Sequence, residues 1–228
     1  RRPIERGAII TRPTPGLRRF CEVFRPLCKS SNGNVRLWED LEKEIVRLKP
    51  YNQSKPNLPQ ALDCVSLSTA VAVDLLAASN IHSLQRPEAW VGRASPEALH
   101  SAARRVGRIP PWITGAHCTD AAKACSQIGI NHQLEYVEGD ETFDMRGYNQ
   151  ARAVKYTNRP LPKWVLAKAR RNLVKEFTRV KTGSEALDAI AARQPVLLCS
   201  TYGFEATRDE QGFAKPYVCQ RCRKLSCN

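Results

Sequence analysis

Histidine is scarce in this 228-residue chain: there are four, at 82, 100, 117 and 132, and none beyond. Chemistry that needs an imidazole late in the chain is thereby excluded. Carboxylates are also short, with 22 Asp and Glu against 36 Lys and Arg, so the chain is not an acidic, solvating one. Glycine and proline number 12 and 15 without any repeating period, which excludes collagen-like and low-complexity architectures. Long hydrophobic runs are missing as well. The longest apolar stretch, Val65 to Ile81, is broken by Asp74 and several Ser, Thr and Asn, and falls short of the ~20 apolar residues a membrane span needs. No transmembrane helix is expected. The start, Arg-Arg-Pro-Ile-Glu-Arg, has neither an initiator Met nor the ~7 to 15 residue apolar core of a secretory signal, which reads as a processed chain or a fragment.

What is present is an ordinary globular composition, 42% hydrophobic and 25% charged, with a net charge of +14. The length suits one large domain or two small ones. The charge is uneven: residues 1–30 hold eight Arg or Lys against two Glu, residues 151–182 hold ten against one, and 135–144 is acidic. General electrostatics then favours a polyanionic partner such as nucleic acid. No RNP-like aromatic motif, zinc-finger spacing or basic heptad specifies a mode of binding, and a solvated basic face is the plainer reading.

Nine cysteines, at 21, 28, 64, 118, 125, 199, 219, 222 and 227, are an odd number, so not all can pair internally. Scattered through a chain too long to need staples, they suggest a reducing compartment and mostly free thiols. Cys219, Cys222 and Cys227 offer three thiolates but no second knuckle or nearby His to complete a tetrahedral zinc site. No metal or cofactor is expected.

Periodicity orders the elements. Residues 1–35 are Arg- and Pro-rich with turn signals and read as a basic, partly disordered arm. Leu37, Leu41, Ile45 and Leu48 share one helix face over 36–48, and the prolines of 49–59 impose a loop. A buried helix follows Asp63-Cys64 and runs to Ala78, apolar nearly all round. Ser95-Pro96-Glu97 opens a helix that Gly107 closes, and Thr119-Asp120 opens another ending at Gly129. Trp164 to Leu173 is a basic amphipathic helix and Ser184 to Arg193 a short capped one. Val174 to Val180 and Pro195 to Thr201 read as strands. Helices first and strands later indicate α+β. The four tryptophans, Trp38, Trp90, Trp112 and Trp164, read as core or rim packing.

A cysteine opening a buried helix is a distinct chemical situation. The helix N-terminus presents unpaired N–H groups and a partial positive charge, which favour thiolate over thiol. Cys64 has that place, with Asp63 as the expected cap. Four residues earlier, the side-chain amide of Gln60 can donate to an oxyanion forming beside the sulfur. A small buried core cysteine is the plain alternative.

The run Pro59-Gln60-Ala61-Leu62-Asp63-Cys64-Val65-Ser66-Leu67, with the small and apolar helix residues after it, resembles the nucleophile segment of the papain-like cysteine peptidase superfamily, especially its phage and bacterial members. Ser95-Pro96-Glu97 to His100, followed by Arg104-Arg105-Val106-Gly107-Arg108, resembles their segment before a glycine-rich turn. Thr119-Asp120 to Ile128-Gly129 resembles the helix after it. Ala189-Ile190, Gln194-Pro195-Val196, Gly203-Phe204 and the run Arg208 to Phe213 are similar to the strands leading to the family's catalytic histidine. The resemblance covers about 36–216, and residues 217–228 abandon it as a divergent, Cys-rich basic tail.

The resemblance implies a papain-like α+β fold, a helical half followed by a strand-rich half, truncated at its end. It implies a cysteine-type peptidase or amide hydrolase acting on a protein or peptide, with Cys64 as nucleophile and Gln60 in the oxyanion hole, placed in the cytoplasm or a virion. In papain-type enzymes the His and Asn lie ~130 to 150 residues after the Cys, roughly at positions 194 to 214 here. No histidine lies there, so the chain as given is expected to be inactive. Truncation or a frameshift after Pro216 and a natural pseudoenzyme are the two explanations. His82, His100 and His132 read as surface or satisfied residues, and His117, beside Cys118, is the best substitute base. From a different class, the chain reads as a basic nucleic-acid-binding or virion-structural protein.

Overall fold

A computed structural model describes residues 8–9, 37–44, 63–87, 89–199, 204–208 and 214–216. By its internal contacts the chain divides into two compact units, 1–197 and 198–228. The elements of the first unit are β1 (Ala8–Ile9), α1 (Leu37–Glu44), α2 (Cys64–His82), α3 (Pro96–Val106), β2 (Ala116–His117), α4 (Cys118–Gln127), β3 (Glu135–Glu138), β4 (Glu141–Asp144), α5 (Gln150–Asn158), α6 (Lys163–Ala169) and α7 (Gly183–Ala191). In the second unit β5 (Phe204–Arg208) pairs antiparallel with β6 (Ala214–Pro216), through a register shift. Helices dominate and the sheets have two strands each, an α+β composition.

Local chemistry sets the helix ends. Ser95 caps α3, its Oγ accepting the N–H of Ala98 at 3.3 Å while Pro96 fills the first turn and Gly107 ends the helix. Past the end of α4, Gly129 takes φ +98°, and its N–H returns to the carbonyl of Ala124. A side chain at Gly129 would collide with the carbonyl of Ala169, so α6 reaches α4 only because no Cβ intervenes. Between β3 and β4 the loop is Gly139-Asp140, with Gly139 at φ +59°, the glycine-first type of tight hairpin turn.

The core is made largely of alanines, so backbones come close. Ala70 of α2, Ala98, Leu99, Ala102 and Ala103 of α3, and Ala121, Ala124 and Cys125 of α4 are all buried. Met145, Tyr156, Leu161 and Val165 close it from the α5 and α6 side. Among the described residues α2 alone is long and apolar enough to cross a membrane, and half of it is buried within this core.

Several expectations need correction. The stretch 174–180 forms no strand: the N–H of Val174 goes to the carbonyl of Cys125 at 3.1 Å, and only Arg179 makes an isolated bridge. Residues 195–199 are likewise not strand, so a strand-rich second half is not seen before 204 among the described residues. The hairpin over 135–144 and helix α5 went unforeseen. Trp90 and Trp164 are partly buried, and Trp164 lies edge-on to Phe143 at 6.4 Å, but Trp112 is 82% exposed and packs neither core nor rim. Cys64 and Cys125 are free thiols, whereas Cys118 and Cys199 are in disulfides, against the expectation of mostly free cysteines. Ile45, Leu48, Gln60, Cys219, Cys222, Cys227 and most of the arm and tail lie outside the described residues.

Candidate functional site

Cys64 is the first residue of α2, a helix that packs against α3 and α4, and it sits half-buried. The backbone N–H groups of Cys64 and Val65 at the start of the helix favour thiolate. They do not prevail. Burial pushes the Cys64 thiol up from its ordinary value, and the neighbouring Asp63 carboxylate pushes it the same way. The lowered value expected of a helix-opening cysteine is therefore not found.

Asp63 explains part of this. It is fully buried, and its carboxylate does not cap α2. Instead it accepts the Tyr148 hydroxyl proton, with distances of 3.1 and 3.3 Å to its two oxygens. Burial, then Asp63, then Glu97 all push the Tyr148 hydroxyl well above the ordinary phenol range, so it remains a donor.

Tyr148 is held from the other side by an ion pair buried at the start of α3. Glu97 is 0% exposed, and Arg152 on α5 donates to its Oε1 from Nε at 3.1 Å and from Nη2 at 2.8 Å. The backbone N–H of Asn149 reaches the same oxygen at 2.8 Å, and Ser95 Oγ donates to Oε2 at 3.0 Å. Arg152 also donates to the carbonyls of Asp144, Met145 and Gly147. Asn149 caps α5, accepting the Arg152 N–H at 3.0 Å. The turn 146–149 thus has little freedom, and Tyr148 is delivered to Asp63 beside Cys64.

The histidines fall elsewhere. His100 is fully buried, with Nδ1 3.4 Å from Ser66 Oγ and Nε2 3.1 Å from Thr157 Oγ1; burial, then Arg104, push its pKa down to about 3. Of the two readings its sequence allowed, surface or satisfied, it is the satisfied one, enclosed in the core. His132 is half-buried and also pushed down by burial. His82 closes α2, about 27 Å along the helix axis from Cys64 at 1.5 Å per residue. His117 ends β2, pairs with Ile9 and precedes α4. Among the described residues, none of the four hydrogen-bonds to Cys64.

The predicted nucleophile is therefore in its predicted element, its predicted partner Gln60 lies outside the described residues, and Tyr148, Glu97 and Arg152 are additions that sequence alone did not supply. Asn149 before a helical run was the signal available for them. Among the described residues no group of three His, Cys, Asp or Glu could hold a metal ion. No family model, curated protein or solved structure matches the chain. The chemistry of the site rests on the residues themselves.

Proposed function

We propose that the chain carries the nucleophile end of a papain-like thiol hydrolase centre, acting on peptide or amide bonds, with its thiol at rest and, among the described residues, no histidine bonded to it. The observation behind this is the position of Cys64: first residue of a 19-residue helix, half-accessible, where the backbone N–H groups of the helix start favour thiolate. In such a centre the thiolate adds to the substrate carbonyl, the carbonyl oxygen takes the negative charge, and collapse expels the amine with a proton to leave a thioester. Water then releases the acid and restores the thiol. Gln60 is the residue assigned to the oxyanion.

Each step that moves a proton normally uses an imidazole, and no histidine follows position 132. An imidazolium beside the sulfur would also hold it as thiolate. Without one, burial and Asp63 keep Cys64 protonated, which accords with a chain that does not turn over by itself. A pseudoenzyme that keeps this fold for binding has the same resting thiol.

Acylation by p-nitrophenyl acetate tests the reading. Acetyl groups located by peptide mass mapping are expected on Cys64 well ahead of Cys125, which is fully buried and pushed up to about 12. Cys64 labelling should rise with pH only above the ordinary thiol range, and added imidazole should speed both acylation and thioester loss. Cys64→Ala should abolish the effect. If Cys64 acylates no faster than Cys125, or imidazole never speeds release, Cys64 is a packing residue.

A further inference from the structure

The exposed Trp112 is displayed by a loop that the core holds in place. Arg104 on α3 is only 4% exposed, and its guanidinium donates to three backbone carbonyls. Nη1 reaches Gly115 at 2.7 Å, Nη2 reaches Pro110 at 2.9 Å, and Nε reaches Thr157 at 2.8 Å. Both ends of the segment 110–115 are therefore fixed by one buried side chain. Within it the N–H of Ile113 returns to the carbonyl of Pro110 at 3.1 Å, closing a turn with Pro111 and Trp112 at its corner. Ile109 packs toward the core while Pro111 and Trp112 face outward. An indole presented at 82% exposure on a turn fixed at both ends is preorganised for a partner rather than left over from packing.

The surroundings identify the chemistry of that partner. Arg105 and Arg108, at the end of α3 and within seven residues of Trp112, are exposed, and neither pairs with a described carboxylate. The third carbonyl that Arg104 holds belongs to Thr157, near the end of α5, where Lys155 and Arg159 are also exposed. Farther along the sequence Lys163, Arg170 and Arg171 are exposed as well. Flat aromatic surface amid unpaired cations, on a chain of net charge +14, suits a polyanion with unpaired bases. Stacking needs an exposed base face, which a duplex does not offer, and one indole on a two-proline turn has too little apolar area to insert into a bilayer.

We infer that Trp112, flanked by Arg105 and Arg108, forms a contact site for single-stranded nucleic acid, the indole stacking on a base and the guanidinium groups meeting phosphates. The site does not depend on Cys64. It gives the net positive charge a local purpose.

Fluorescence anisotropy of the full chain with a labelled oligodeoxythymidine of about 20 nucleotides, at about 50 mM NaCl and above, tests it. Trp112→Ala is expected to weaken binding roughly 5- to 150-fold, as loss of one base stack does, and Trp112→Tyr to retain most of the affinity. Arg105→Ala with Arg108→Ala should lower the salt slope by roughly 1.4, two single-strand phosphates. Trp112 is exposed, so folding is not at stake, and circular dichroism verifies that. Absence of binding at low salt, unchanged affinity of Trp112→Ala, tighter binding to the matching duplex, or a preference for phosphatidylglycerol vesicles would each overturn the assignment.

Discussion

Two side chains in the α2–α3 core carry opposite proton linkages. His100 is held neutral, its pKa pushed down to about 3, because burial and Arg104 oppose its charge and two hydroxyls already occupy its nitrogens. An unfolded chain takes up that proton near 6.5 and the folded one does not, so His100 lowers stability as pH falls from about 6.5 toward 3. Asp74 runs the other way. Burial raises it to about 6 despite the Ala94 N–H at 2.7 Å and Arg93 at 3.2 Å. Its contribution is fully present below the unfolded value of 3.8 and is lost as pH rises through about 6. Urea unfolding at several pH values should therefore show His100→Gln losing less stability than the parent between pH 6 and pH 4, whatever its deficit at neutrality. Equal slopes would show that His100 titrates in the fold. A sequence shows that a histidine lies on a helix but not that its ring is enclosed, which is why His100 reads there only as an unremarkable position.

At the scale of elements, the ends that side chains decide locally were legible and the rest were not. Ser95, Pro96 and Gly107 mark α3 in the sequence because capping is a matter of neighbouring residues. The hairpin 135–144 was hidden because its glutamates and aspartates read as a charge cluster, although Gly139-Asp140 is a turn signal. Val174–Val180 looks like a strand, yet the N–H of Val174 goes to the carbonyl of Cys125 and no ladder forms among these residues; the sequence does not show which carbonyl a given N–H will meet. The candidate site divides in the same way. Cys64 at a helix start was legible, whereas Tyr148 reaches Asp63 across 85 positions by virtue of Glu97 and Arg152. That ion pair ties α3 to α5, so Glu97→Ala should destabilise the fold by about 3 kcal/mol, since it strands a largely buried guanidinium. A loss under about 1 kcal/mol in urea titration would show that the carbonyls around Arg152 suffice without Glu97.

For the molecule as a whole, the charge of +14 is not spread as a featureless coat. In the first unit exposed cations gather from the end of α3 and along α5 and α6, whereas the carboxylates Asp63, Glu97 and Asp74 are withdrawn into the interior. Burying negative charge while exposing positive charge makes the surface more basic than the composition alone suggests. The disulfides at Cys118 and Cys199 show that the cysteines cannot be treated as one inert population.

Arg104 also bears on digestion by proteases. Arg105 and Arg108 are surface sites for trypsin, and cleavage requires the backbone around them to unravel into the enzyme's cleft. By gripping three carbonyls at once, Arg104 denies that slack. Trypsin should therefore cut after Arg108 later than after the exposed Arg170 or Arg171, and Arg104→Met should bring the Arg108 cut ahead of those two, with mass spectrometry of early fragments giving the order. One enclosed guanidinium would then set how long the turn that displays Trp112 survives.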